Sequence, residues 1–274
     1  MKDKRKIYKE LGITYSFYSV FMKRFLDIVI SLLGIIILSP FLILFYLLNI
    51  LFMGFPGILK QPRPGANHKV FNLYKFRSMT NKRDKDGNLL PDEKRVTWYG
   101  KLIRKLSIDE LPQLFNILKG DMSIVGPRPR LVKDMIFYSE DVYKFYIVRP
   151  GLTGPTQAFG RNKNTWEQVF DKDINYTHNI SFKYDLKIFF YTFISLFKSP
   201  GETHSNEEED KTQVKQQEYY YADYMKRTRK INEDQYMLGL QLASKIKKNN
   251  YVEFYPELHN KAIMKEVTKA ENEE

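Results

Sequence analysis

From Ile28 to Phe55 the chain runs for 28 residues without a formal charge, IVISLLGIIILSPFLILFYLLNILFMGF. About 20 apolar residues cross a bilayer as a helix, so length alone predicts a simple transmembrane span. A cleaved signal peptide is not expected, because the run is too long and no small-residue cleavage site follows it. Two features favour another path. Pro40 falls near the middle and removes a helical hydrogen bond, with Ser39 able to satisfy the freed carbonyl. Basic residues flank both ends, Lys23 and Arg24 before and Lys60, Arg63 and Lys69 after, which places both ends in the cytoplasm by the positive-inside rule. A re-entrant helix hairpin bent at Ser39 and Pro40 meets both conditions. A straight span is the alternative, since prolines do occur in true spans.

Charge supports a membrane setting. The formal net charge is +12 over 274 residues, and it is uneven. Residues 201–274 hold 12 Lys and Arg against 15 acids, a net of −3, which leaves +15 for residues 1–200. A basic body suits anionic lipid, phosphorylated substrates or nucleic acid. Nucleic acid is set aside because the apolar segment already gives the charge a membrane role. There is no cysteine, so disulfides and thiolate metal sites are excluded, and the four histidines are dispersed, so no zinc site is indicated.

Residues 104–130, RKLSIDELPQLFNILKGDMSIVGPRPR, carry the chemistry. Ser107 and Glu110 have the spacing of a capping box, Leu111, Leu114, Phe115 and Leu118 follow at helical spacing, and Gly120 supplies the stop. Pro112 is tolerable near a helix start. Asp109 and Glu110 then sit at a helix N-terminus, which keeps carboxylates ionised. An ionised carboxylate can act as nucleophile or hard-metal ligand, or can simply cap its helix. The surroundings favour chemistry: Arg104 lies upstream, Arg128 and Arg130 follow on a stiff turn, and KFRSM supplies Lys75 and Arg77. Guanidinium groups grip phosphate bidentately.

Along the chain, residues 1–20 read as a basic interfacial leader, 21–58 as the membrane hairpin and 59–200 as a catalytic domain. Residues 201–217 form an acidic linker, and 218–274 a helical extension whose Tyr219 to Lys248 could dimerise, dock on the core or bind a neighbouring enzyme. Residues 70–74, VFNLY, alternate as a short strand. Residues 98–106 and 107–119 predict two amphipathic helices, lying at the membrane surface or packed in the core. Residues 165–198 predict helix, ending near Pro200. The charged stretch 80–95 reads as a solvated loop. Its Asp84-Lys-Asp86 is a weak nucleotide-sugar motif without an alternating βα frame, and as a calcium loop it lacks the closing Glu. The sequons at Asn175 and Asn179 are read as coincidental.

Several segments together carry a resemblance: KRFLDIVIS at 23–31, Ser39-Pro40, QPRPG at 61–65, FNLYKFRSM at 71–79, GKLIRKLSIDELPQLFNILKGDMSIVGPRP at 100–129 and RPGLTGPTQAFGRN at 149–162. Over residues of about 20 to 198 the chain resembles the bacterial sugar transferases, monotopic phosphoglycosyl transferases. It departs from the family pattern at Pro155-Thr156, where a small apolar pair is usual, and at Pro62 and Pro64 around Arg63.

The resemblance implies a mainly α-helical monotopic membrane protein with a small β element, a re-entrant N-terminal hairpin and interfacial amphipathic helices. It implies an enzyme at the cytoplasmic face of the bacterial inner membrane. The reaction would move a phosphosugar from a UDP-sugar to polyprenyl phosphate and release UMP, initiating a surface glycan. Asp109 would be the nucleophile of a covalent aspartyl-phosphosugar intermediate, with Glu110 positioning Mg²⁺ or tuning Asp109. Arg104, Arg128, Lys75 and Arg77 would hold phosphate. Arg149 would line the donor pocket, with Gln157, Arg161 and Asn162 contacting the donor. Partners would be the UDP-sugar, polyprenyl phosphate and the lipid bilayer, with a second copy or a downstream glycosyltransferase meeting the extension. Two rivals stand beside this reading: a glycosyltransferase releasing UDP, and a non-catalytic scaffold for glycan assembly.

Overall fold

The computed structural model describes residues 4–198 except 89, 136–137, 139–141, 143–145 and 160–163, together with 233–235 and 237. Arg161, Asn162, the linker 201–217 and most of the expected extension lie outside the described residues. Helix α1 spans Lys4–Glu10, and the chain then turns at Gly12, whose φ of 65° suits glycine. The leader, expected at the interface, puts Tyr8 and Ile13 into the main core. Thr14 N donates to Thr177 O at 3.0 Å, which ties the leader to a segment more than 160 residues further along the chain.

One π-helical turn, Tyr18–Met22, leads into α2, Lys23–Met53, a helix of 31 residues. At 1.5 Å per residue it is about 46 Å long, and it is long and apolar enough to cross a membrane. Asp27, Ser31, Leu42, Asn49 and Met53 form one buried stripe at helical spacing, while Ile36, Ile37, Phe41, Leu47 and Leu51 are exposed. The segment expected as a hairpin is thus one continuous helical element through Pro40. Ser39 Oγ donates to Ile36 O at 2.8 Å, the carbonyl that Pro40 leaves without its helical donor.

Strands β1, Ile58–Pro64, and β2, Val70–Phe76, form an antiparallel pair with Lys60 opposite Tyr74. The alternation at 70–74 foretold β2. Pro62 and Pro64 hid β1, because proline is tolerated only on an edge strand, and in a two-stranded sheet every strand is an edge. The stretch 80–95 is largely exposed and contains the short helix α3, Asp92–Arg95. Asp84 Oδ1 accepts from Asp86 N and Asn88 N at 3.0 and 2.8 Å, closing the loop on itself. Helix α4, Trp98–Lys105, is capped by Thr97, whose Oγ1 accepts from Gly100 N at 3.0 Å.

Helix α5 spans Gln113–Lys119, β3 Ser123–Val125 and α6 Val132–Met135. Strand β4, Gly151–Thr153, pairs parallel with β3, and α7 follows at Pro155–Ala158. The expected helix over 165–198 is two helices, α8, Trp166–His178, and α9, Phe182–Lys198. A capping box of Thr165 and Gln168 starts α8. The described residues are therefore mainly helical with two small two-stranded sheets.

Both ends of α2 are tied to this body. Near its start, Lys23 bonds Asp185 of α9, and Asp27 Oδ1 accepts from Ser123 Oγ and Ile124 N at 3.0 and 2.9 Å. Near its end, Leu42 and Met53 pack with Phe76, Tyr99 and Ile103. Arg77 Nη1 donates to Gly54 O and Pro56 O at 3.1 and 3.2 Å, satisfying carbonyls just beyond the helix.

Candidate active site

Asp109 and Glu110 lie on a single 3-10 turn, Ile108–Glu110, placed between α4 and α5. Ser107 precedes the turn with φ 55° and ψ 21°, a left-handed conformation that is uncommon for a residue other than glycine. This geometry prevents the expected capping box, because an N-cap residue needs extended backbone. The Ser107 side chain makes no cap bond, and α5 begins only at Gln113, behind Pro112. Glu110 makes charge-assisted contacts instead. Lys75 Nζ stands 3.2 Å from Glu110 Oε1 and 3.0 Å from Asp109 Oδ2, and Arg128 Nη2 is 3.2 Å from Glu110 Oε1. Two cations outweigh one neutral backbone donor.

The two carboxylates are held in different electrostatic states. Burial pushes the Asp109 carboxyl up, with Lys75 opposing, Glu110 reinforcing and Arg104 opposing. Burial also acts to raise Glu110, but Lys75 and Arg128 overcome it and hold the group at about 2. The expectation that a helix N-terminus keeps both acids ionised is therefore corrected. The nearby cations do this for Glu110, while Asp109, only 5% exposed, is a poorly solvated carboxyl.

Asn116, fully buried in α5, sets the spacing between this turn and β2. Its Oδ1 accepts from Tyr74 N at 2.9 Å, and its Nδ2 donates to Asn72 O at 2.8 Å. Its carbonyl accepts from Gly120 N, Asp121 N and Met122 N, so Gly120, at φ 95°, ends the helix as its sequence position predicts. Because β2 carries Lys75, this one side chain fixes the cation against the dyad. Sequence reasoning missed it, although an Asn inside the apolar run LFNIL is a readable signal.

The structure gathers Asp109, Glu110, Lys75 and Arg128, with Arg104 close enough to act on Asp109. Arg104 Nε donates to Ser78 Oγ at 2.6 Å, so Ser78 orients it. Other expected site residues are engaged elsewhere. Arg77 closes the end of α2. Arg149 Nε donates to Gly120 O at 3.1 Å, at the end of α5 away from the dyad, beside Arg24, which bonds Ile117 O and Leu118 O at 2.6 and 2.8 Å. Gln157 Nε2 donates to Leu152 O at 3.1 Å.

Among the described residues no group of three or more His, Cys, Asp or Glu is placed to hold a metal. The donor set fits a different arrangement. Magnesium commonly takes one or two carboxylates and completes its octahedron with water and substrate phosphate, and the adjacent carboxylates of Asp109 and Glu110 have the chemistry of such a pair.

A sequence model of the family described as Bacterial sugar transferase matches residues 18–199. The chain is 52% identical over 154 residues to the uncharacterized sugar transferase EpsL of Bacillus subtilis, covering 56% of this chain and 76% of that protein. It is 38% identical over 201 residues to the undecaprenyl-phosphate galactose phosphotransferase of Salmonella typhimurium, covering 67% of this chain but 42% of that protein. It is 37% identical over 185 residues to the UDP-glucose:undecaprenyl-phosphate glucose-1-phosphate transferase of Klebsiella pneumoniae, covering 64% and 40%. The chain thus spans three quarters of the first relative and about two fifths of the other two.

Proposed function

We propose that this chain, which belongs to the bacterial sugar transferase family, transfers a phosphosugar from a UDP-sugar to polyprenyl phosphate through Asp109. The observation that carries the reading is the Lys75 bridge between a buried Asp109 and an ionised Glu110. The named reactions of the Salmonella and Klebsiella relatives support it.

In the first step a carboxylate oxygen of Asp109 attacks the phosphorus that bears the sugar. The bond from that phosphorus to the oxygen of UMP breaks, and UMP leaves with the electron pair. Asp109 is suited to this, since a carboxylate stripped of water is more basic and more nucleophilic than an exposed one. Glu110 stays anionic and holds Lys75 and Arg128 at the place where phosphate oxygens arrive. In the second step a phosphate oxygen of the polyprenyl acceptor attacks the acyl phosphate and returns Asp109 as carboxylate. The attacking form of Asp109 is its carboxylate, which Lys75 beside it favours against the effect of burial, and the acceptor phosphate is itself an anion, so neither attack calls for a separate base. Asp109 and Glu110 would hold Mg²⁺, whose chemistry when bound is to neutralise diphosphate charge.

A lipid acceptor requires a membrane-bound enzyme. Three elements present apolar side chains outward: α2, α4 through Trp98 (66% exposed) and Leu102, and α9 through Phe182, Phe189, Phe190 and Phe193. Such surfaces suit a bilayer. Because both ends of α2 are tied to one catalytic body, a helix that enters the cytoplasmic leaflet without crossing to the other side fits better than a span. The nucleotide product tests the reaction. Purified chain given a panel of UDP-hexoses and UDP-N-acetylhexosamines with undecaprenyl phosphate should release UMP. UDP as the product would assign ordinary glycosyl transfer, and no nucleotide release from any donor would leave the scaffold reading.

A further inference from the structure

Arg130 is the charged residue of the GPRPR turn that the reaction above does not use, and it turns away from the dyad. While Arg128 reaches Glu110, the Arg130 guanidinium lies over the Trp166 ring, 5.1 Å from its centroid. Asp173, one of the groups whose charge acts on Arg130, is 1% exposed. Its Oδ2 accepts from Tyr146 OH at 2.7 Å, and its Oδ1 has no hydrogen-bond partner among the described residues. Trp166 and Asp173 both belong to α8, whose start is fixed by its capping box. Trp166 packs with Val70, the first residue of the strand that carries Lys75.

We propose that Arg130, seated on Trp166, is a positioning residue that aims Arg128 at the phosphate site. The inference rests on the phosphate-binding role given to Arg128 above. The backbone of the turn is pinned on both sides of Arg128: Gly151 N donates to Pro127 O at 2.9 Å, and Arg63 Nη1 donates to Pro129 O at 3.0 Å. Pro127 and Pro129 fix their own φ angles. What these bonds leave free is rotation beyond Pro129, and Arg130 closes that end. A guanidinium suits the place because it stacks flat on an indole while keeping its charge toward a carboxylate, which a lysine does not do. Burial of a charge on α8 is otherwise costly, and here it gives α8 a grip on the turn that supplies the dyad's second cation.

A double-mutant cycle on the full-length purified chain tests this, read as affinity for inorganic pyrophosphate in magnesium buffer by titration calorimetry. Arg128→Ala should weaken binding about tenfold, the scale of one charge-assisted hydrogen bond. Arg130→Met, which keeps the packing on Trp166 but not the charge, should give most of that loss, and the double variant should be no weaker than Arg128→Ala alone. Arg130→Lys should not restore affinity. Asp173→Asn provides a second approach should Arg130→Met fail to fold, and it should likewise weaken pyrophosphate only while Arg128 is present. Losses that add, or an unchanged affinity in the Arg130 and Asp173 variants, overturn the positioning role and leave the phosphate reading intact. Wild-type chain that ignores pyrophosphate, or binds it equally without Arg128, removes the phosphate reading and this inference together.

Discussion

Charged residues in this protein do two jobs that look alike in sequence. Lys75 and Arg77 sit two apart in KFRSM, a spacing that would put both on one face of a strand. Strand β2 stops at Phe76, however, so Arg77 leaves the sheet and closes the end of α2. Lys75, expected at the site, does stand beside the dyad, whereas the departure of Arg77 was not legible, because the strand end depends on its pairing with β1. The same holds for Arg149, whose partner Gly120 O is brought to it by the parallel pairing of β3 with β4. Buried charge also sets a pH dependence. Burial pushes Asp173 up to about 6, with Arg130 and Tyr146 opposing. An unfolded Asp titrates near about 3.9, so between roughly pH 4 and 6 the folded chain holds a proton that the unfolded chain has lost. The resulting stability is complete below that window and disappears as pH rises through it. Urea midpoints should fall by the equivalent of up to about 3 kcal/mol between pH 4 and 7 from this residue, and Asp173→Asn should abolish that component. An unchanged slope in the variant would show that other groups set it.

At the scale of elements, the segment 107–119 is instructive. Its periodicity and its Gly stop were readable, and α5 is there. The dyad was expected in the first turn of that helix, but the left-handed Ser107 and the Pro112 start split the segment into a 3-10 turn and a shorter helix. Local sequence could not reveal this, because the split is held by Lys75 and Arg128, which come from other elements. Asn116 holds the two parts in register with β2. Asn116→Leu keeps the branched outline of the side chain but leaves Tyr74 N and Asn72 O without their side-chain partner. Each such loss costs about 1–3 kcal/mol, so chemical denaturation should show the variant destabilised by roughly 2–6 kcal/mol. Turnover should fall as well, because Lys75 loses its fixed distance to the dyad. A variant as stable as the parent would mean that α5 is held to β2 by its apolar contacts alone.

For the whole molecule, the apolar stretch was legible as one long apolar helix, and the hairpin expected from the resemblance is a single helix continuous through Pro40. The fold adds that α2 is bound at both ends to one body and carries a polar stripe, Asp27, Ser31 and Asn49, toward it. Periodicity did not expose that stripe, since small and polar residues are scattered in a run that reads as apolar throughout. Because the chain has no cysteine, single cysteines introduced at Ser16 and Asn67 can report topology with a membrane-impermeant thiol reagent. Both sites should stay unlabelled in intact cells and become reactive once the inner membrane is opened. Labelling of the Ser16 site alone from outside would establish a spanning helix and remove the re-entrant path.

The central claim is that Asp109 carries the phosphosugar during turnover, and one measurement addresses it without an acceptor. Purified chain incubated with a turned-over UDP-sugar alone, quenched and digested, should yield the peptide containing Asp109 with the mass of one added phosphosugar, together with one equivalent or less of UMP. Asp109→Asn, which keeps the shape and loses the anion, should yield neither the adduct nor turnover. An adduct on any other residue, or steady turnover in the Asn variant, would contradict the account.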